Sequence, residues 1–262
     1  MPADVTEPLL RLTGIEKSFG PVQALAGVDL EVHQGEVLAL VGDNGAGKST
    51  LIKAVAGVHQ PDSGRIEFQG RPVRITSPHD ATQLGIATVY QDLALCDNLD
   101  VVANLFLGRE RVRAPVAGRL RRLSEPQMEN EARETLDGLS VRVPVLRRQV
   151  ATLSGGQRQS VAVARAVLWG SKLVALDEPT AALGVEQTDG VLRLVRRLAE
   201  RGLAVIVISH NLADVFRVAD RIAVLRLGRK AGDFRTEDTD REKIVAAITG
   251  ALGDQAAEEE LT

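Results

Sequence analysis

Residues 36–50 read EVLALVGDNGAGKST, and the fold turns on that junction. After the Gln34–Gly35 turn, EVLALV is a short, nearly continuous apolar run, which suits a strand covered on both faces. Gly42–Thr50 then fits the spacing G-x-x-x-x-G-K-[ST], and LIKAVAG continues as a helix former. Glycines in such a loop let backbone N–H groups turn inward around phosphate oxygens, and the N-terminus of the following helix adds a favourable dipole. Gly42, Asp43, Asn44, Gly45, Ala46 and Gly47 would form the cradle, with Thr50 at its far end. Lys48 would reach the β and γ phosphates, and Ser49 would offer its hydroxyl to magnesium.

The same style of run recurs in IATVY, KLVALD, LAVIVIS and RIAVLRL, with helical patterns between them, which predicts a mostly parallel sheet wrapped by helices. Upstream, VDLEV alternates apolar and polar residues as a half-buried antiparallel strand would. Val191, Leu194, Val195 and Leu198 share one helix face, and Gly202 supplies a stop. A later helix has Thr239 and Glu242 at capping-box spacing and ends before Gly250. From about Asp92 to Val150 the pattern turns helical, without a convincing strand. The expected organisation is a single α/β domain over 9–250, with a core of about 9–91 and 166–250, a helical lobe of about 92–165, and tails at 1–8 and 251–262.

Composition narrows the function classes. The 262 residues are 44% hydrophobic and 26% charged, the balance of an ordinary globular protein. With 32 basic against 35 acidic residues the net charge is -3, so no general attraction to nucleic acid is expected. Runs such as LAVIVI fall far short of the roughly 20 residues a membrane-spanning helix needs. The opening MPADVTEPLL lacks a cationic segment and an apolar secretory core, so export is not expected. Cys96 is the one cysteine, which excludes an internal disulfide.

Further candidates stand at strand ends, where open parallel sheets gather their ligand crevice. Asp177 closes KLVALD and would sit beside magnesium, usually through its water shell, while Glu178 would project towards an attacking water. Alone, such a pair is more often a solvated turn or a helix cap. Gln91 follows IATVY and could bind magnesium or its water without adding charge, and His210 follows AVIVIS within reach of a γ-phosphate. Either could instead be a surface residue. His33, His59 and His79 have no motif around them.

A second glycine pair lies in ATLSGGQRQS. Ser154 and Gln157 have capping-box spacing, and QSVAVARAVL continues as a helix, so the residues alone describe a helix N-terminus with exposed amides. At this point the chain resembles the ATP-binding cassette family. LSGGQ at Leu153, Ser154, Gly155, Gly156 and Gln157 matches the family signature and lies between the phosphate loop and LVALDE in the family's order, with Gln91 and His210 in its switch positions. The resemblance covers nearly the whole chain. It implies a P-loop core with a mostly parallel sheet, a small antiparallel β subdomain and an inserted helical subdomain. It also implies ATP and Mg2+ as cofactors and two cassettes paired head to tail, the signature of one closing over the γ-phosphate held by the other.

Phe19, in EKSFGPVQAL, occupies the region where relatives stack an aromatic ring on adenine; ordinary core packing is the alternative. Trp169 is read as packing. Where relatives commonly show S-A-L-D after the glutamate, this chain has AALG, with Gly184 in the aspartate's place. Within the family, GDNGAGKSTLIKAVAGVHQPDSGRIEFQG and GIATVYQDLALCDNLDVVANLFLGRE are similar to the ATPase components of bacterial monosaccharide importers of the ribose, xylose and fructose type. That likeness implies a homodimer on the cytoplasmic face of the cell membrane, a separate permease whose loop helix enters the helical lobe, and a sugar-binding protein. A soluble remodelling cassette of translation or DNA repair is the rival, but the long heptad insertion or tandem cassettes of those proteins are absent.

Overall fold

In the computed structural model, which describes residues 7–112 and 122–251, the decisive apolar run is β3 (Val37–Val41), with every residue buried. It pairs in parallel with β8 (Ala204–Ile208) on one side and β9 (Arg221–Arg226) on the other. Outside β8 come β7 (Leu173–Asp177) and β6 (Ile86–Val89), also parallel; β10 (Arg229–Arg235) closes the opposite edge antiparallel to β9. The six-stranded order is therefore β10-β9-β3-β8-β7-β6.

Two cores explain why these strands read as continuous apolar runs. Val37, Ala39 and Val41 of β3 belong to one, together with Val174 and Leu176 of β7 and Val205 and Val207 of β8. Leu38 and Leu40 belong to the other, with Leu173, Ala175, Ala204 and Ile206. Side chains alternate across a strand, so a sheet covered on both faces needs an apolar residue at every position.

The first core is covered by α5 (Gly155–Leu168) and α6 (Val185–Glu200), joined by α7 (Leu212–Val218) and α8 (Arg241–Thr249). The inserted segment adds α3 (Val101–Phe106) and α4 (Glu125–Gly138), whose Phe106, Met128 and Leu136 join that same core. The second core is closed by α1 (Lys48–Val55), α2 (Pro78–Leu84) and a four-stranded antiparallel sheet. In that sheet β1 (Leu10–Phe19) lies between β2 (Val22–Val32) and β4 (Ser63–Phe68), and β5 (Arg71–Val73) forms the edge. VDLEV is the end of β2.

Two helix ends differ in how far the sequence anticipates them. On α6 the expected face of Val191, Leu194, Val195 and Leu198 is buried, and Gly202 takes φ +84 just past the end. On α8 the expected cap of Thr239 and Glu242 is displaced by one residue. Asp240 is the N-cap, its Oδ1 accepting from the Lys243 amide at 2.8 Å, while the Thr239 hydroxyl is buried without a partner. A carboxylate next to a threonine is the stronger acceptor at a positive helix end. Gly250 then ends the helix at φ +94. The expected tails at 1–8 and 251–262 fall almost wholly outside the described residues, as does 113–121 of the inserted segment.

Candidate functional site

The loop after β3 is shaped by its glycines and by a brace from β9 and β10. Gly42 has φ +147, and a Cβ there would be driven into the carbonyl oxygen of Leu225 at the end of β9. Gly47 has φ +102 and caps α1; its Cβ would lie 2.6 Å from the Ala24 carbonyl oxygen. Gly45 has φ +80 but faces open space. The Gly228 amide donates to Ala46 O at 3.1 Å, and Ala26 N donates to Gly228 O at 2.8 Å, tying the loop to the β9–β10 turn and to β2.

Lys48 is buried at 9% exposure, with Nζ donating to the carbonyls of Gly42 (2.7 Å) and Asp43 (2.9 Å). Burial lowers its pKa, while Glu178, Asp43 and Asp177 pull it back up. The ammonium is thus held inside its own loop by neutral oxygens, which a bound polyphosphate would outcompete as charged acceptors.

Asp177 ends β7, opposite Ile208 of β8. Burial raises its pKa from the ordinary aspartate value, Glu178 adds to the rise, and Lys53 and Lys48 oppose it. The chain turns sharply at Glu178 (φ +50), whose amide donates to Ile208 O at 3.0 Å. Its Oε1 lies 2.8 Å from His210 Nδ1. The glutamate side chain is only 18% exposed against 75% for the histidine, so the pair spans the wall from interior to mouth.

Lys48, Ser49, Gln91, Asp177, Glu178 and His210 line one cavity of about 570 Å³, with Asn44–Gly47, Thr50 and the start of β2. Gln91 arrives there two residues after β6. Phe19 is not on that lining; it stands 44% exposed beside it, paired across the β1–β2 hairpin with Val22, which is.

Leu153–Gln157 does not line this cavity. Ser154 Oγ accepts from the Gln157 amide at 3.3 Å and Gln157 Oε1 accepts from Ser154 N at 3.0 Å, a complete capping box on α5. Ser154, Gly156 and Gln157 instead line a separate groove of about 640 Å³ against α6. The glycine pair has a packing reason that the sequence does not reveal. A Cβ on Gly155 would lie 2.8 Å from Leu183 Cδ2, and one on Gly156 would lie 3.0 Å from Gln187 Cβ.

Two further contacts organise the site without a sequence motif. Arg165, on α5, donates from Nη1 to Ala94 O at 2.8 Å and from Nη2 to Leu93 O at 3.0 Å, tying the segment after Gln91 to the helix that begins with LSGGQ. Thr180 Oγ1 donates to Asp214 Oδ2 at 2.8 Å, and Asp214 is buried at 7% exposure, so the turn after Glu178 is pinned to α7. Both are polar contacts between residues 34 or more apart in sequence, a separation no local pattern encodes.

A strand–loop–helix cradle with carboxylates at the adjoining strand ends defines a P-loop nucleotide-binding protein. The family profile described as "ABC transporter" matches residues 25–181. The chain is 48% identical over 246 residues to the xylose/arabinose import ATP-binding protein of Sulfolobus acidocaldarius, covering 94% of this chain and 96% of that one. It is 47% identical over 247 residues to the fructose import ATP-binding protein of Rhizobium meliloti, covering 94% and 95%. Against a ribose import ATP-binding protein of Rubrobacter xylanophilus, 44% identical, it covers 93% of itself and 47% of the relative, about half. A nucleotide-free ATP-binding cassette from an ABC transporter superposes with a TM-score of 0.79 at 26% identity, covering 93% of this chain and 96% of the other. The chain belongs to the ABC transporter family, as one of its ATP-hydrolysing cassettes.

Proposed function

We propose that the chain binds and hydrolyses ATP to energise monosaccharide uptake through a separate membrane permease. The observation that carries the hydrolytic part is that the phosphate loop, Asp177, Glu178, Gln91 and His210 line a single cavity. The sugar class rests on the near full-length similarity to xylose/arabinose and fructose import proteins.

Lys48 and the loop amides bind the triphosphate, and the α1 N-terminus supports its charge. Ser49, Gln91 and Asp177, which line the cavity, would supply oxygen ligands, a hard donor set that fits Mg2+. The raised pKa of Asp177 also fits a carboxylate awaiting a cation. When bound, Mg2+ would neutralise charge on the β and γ phosphates. Glu178 orients and deprotonates the attacking water, and His210, hydrogen-bonded to it, steadies that carboxylate and reaches the γ-phosphate.

Because the signature lies outside this cavity, one chain carries two half-sites. This supports a head-to-tail homodimer in which Leu153–Gln157 of each protomer closes the other's site. Among the described residues no helix is long and apolar enough to cross a membrane. Attachment at the cytoplasmic face would therefore run through the permease. A groove of about 330 Å³ fits its loop helix: Tyr90, Leu107, Arg165 and Trp169 line it, with Leu107 50% exposed. Trp169 packs edge-on against Phe106 and carries Arg109 at 4.8 Å over its ring, so it is both a packing residue and a groove wall. A sugar-binding protein would deliver the substrate from outside.

The test is purification of the membrane complex, with ATPase activity measured as monosaccharides and their binding proteins are added. Stimulation by a cognate sugar, and a fall of about 10²- to 10⁴-fold on Glu178→Gln with ATP binding retained, is the expected result. An active complex indifferent to every monosaccharide would overturn the sugar assignment; undiminished turnover on Glu178→Gln would overturn the base.

A further inference from the structure

We propose that His59 is a positioning residue for the nucleobase: its imidazole fixes the ring of Phe19 at the rim of the phosphate cavity and sets the ring's place relative to the phosphate helix. The inference rests on the reading of Phe19 as the base-stacking residue.

A phenylalanine at 44% exposure leaves apolar surface in water, which costs stability unless something else uses it. The ring is nonetheless held. His59 meets it edge to face, with centroids 5.2 Å apart and an interplanar angle of 72°. Lys17 Nζ lies over the ring at 5.6 Å from its centroid. The imidazole and the ammonium thus hold the ring while 44% of the residue stays exposed to a planar partner. A purine stacks on such an exposed aromatic surface whatever its hydrogen-bonding edge.

His59 is itself tied at both ends of its loop. On one side, its amide and that of Val58 both donate to Lys53 O, at 3.1 and 2.9 Å, on the last turn of α1, the helix that begins at Lys48. On the other side Asp62 is fastened to β1. Its carboxylate accepts from Lys17 Nζ and from the Ser18 amide, each at 2.7 Å, and its own amide donates to Glu16 O at 2.9 Å. The loop 58–62 is thus a strut between the far end of the phosphate helix and the strand that carries Phe19. The span from phosphate cradle to base platform is set by this strut, and the imidazole is its contact with the ring. This role was invisible in the sequence, where His59 has no motif around it.

The test compares ATP with inorganic tripolyphosphate on the full chain, by calorimetry, for wild type, Phe19→Ala, His59→Ala, His59→Phe and the double alanine variant. Tripolyphosphate occupies the cradle without a base, so it also reports that the loop is folded. His59→Ala is expected to weaken ATP by about two- to tenfold, the range of an edge-to-face aromatic pair, while leaving tripolyphosphate unchanged. His59→Phe should restore most of the loss, and His59→Ala should add nothing in the Phe19→Ala background. Loss on Phe19→Ala with none on His59→Ala overturns this inference alone, as does an equal loss for both ligands. If Phe19→Ala leaves the ratio of the two affinities untouched, the stacking reading fails and takes the inference with it.

Discussion

Replacing Gly42, Gly45 and Gly47 one at a time by alanine separates two costs that the phosphate loop combines. All three have φ between +80 and +147, so each alanine incurs the penalty of an L-residue in sparsely populated backbone space, about 1–3 kcal/mol. At Gly45 nothing lies within 4 Å of the new methyl group, and the penalty ends there. At Gly47 the methyl lies 2.6 Å from the Ala24 carbonyl and 3.0 Å from Leu25 Cδ2, so β2 must also move, adding an overpacking cost of about 1–3 kcal/mol. Gly42→Ala should cost most, because its methyl is driven deepest into a backbone oxygen, that of Leu225 on β9, a strand paired on both sides. At roughly 2–4 °C per kcal/mol, thermal melts should rank wild type, Gly45→Ala, Gly47→Ala and Gly42→Ala in falling order of midpoint. ATP affinity measured on the same proteins should fall most for Gly47→Ala and Gly42→Ala. Equal midpoints for Gly45→Ala and Gly47→Ala would refute the claim that close packing behind the loop, rather than backbone freedom alone, demands these glycines.

Asp177→Asn should raise the melting temperature of the nucleotide-free protein at neutral pH. A carboxyl whose folded pKa is raised favours the fold below its unfolded pKa and loses that contribution as pH rises through the folded value. The gain should therefore shrink as pH is lowered into the ordinary carboxylate range, and a gain independent of pH would refute burial as its cause. Lys48→Ala removes the ammonium that sits inside the loop and should raise the ATP dissociation constant at least tenfold; isothermal titration checks it. Mixing Lys48→Ala chains with Ser154→Arg chains should rescue one composite site per heterodimer, seen as recovered ATPase activity, and stable heterodimers without recovery would contradict the shared-site reading.

The parts of the fold legible in the sequence are those where one physical rule acts alone. Strands β3, β7, β8 and β9 feed two cores at once, so their apolar runs leave little choice of structure. The antiparallel sheet was harder. β1 carries Thr13–Gly14 and three register shifts against β2, and β4 opens on Ser63–Gly64–Arg65, so only VDLEV kept a clean alternation. At α8 two adjacent residues could each cap, and the choice lay with a carboxylate one place further on. Within the site, the phosphate loop, Gln91, Asp177, Glu178 and His210 stand out by motif or strand-end position, whereas Val22, Gln23, Ala24 and Ala181 line the same cavity with no signal of their own. Arg165, Asp214 and His59 carry none either, because each acts through a partner distant in sequence.

The close fit of Gly155 and Gly156 against Leu183 and Gln187 has a mechanical consequence. Leu183 lies five residues beyond Glu178, and a methyl group added at Gly155 would meet its Cδ2 at 2.8 Å, so the two segments are in close contact. A shift of the turn after Glu178 would therefore press directly on the start of α5. In a head-to-tail pair that segment would serve the neighbour's nucleotide, so this contact would give one site a mechanical path to the other.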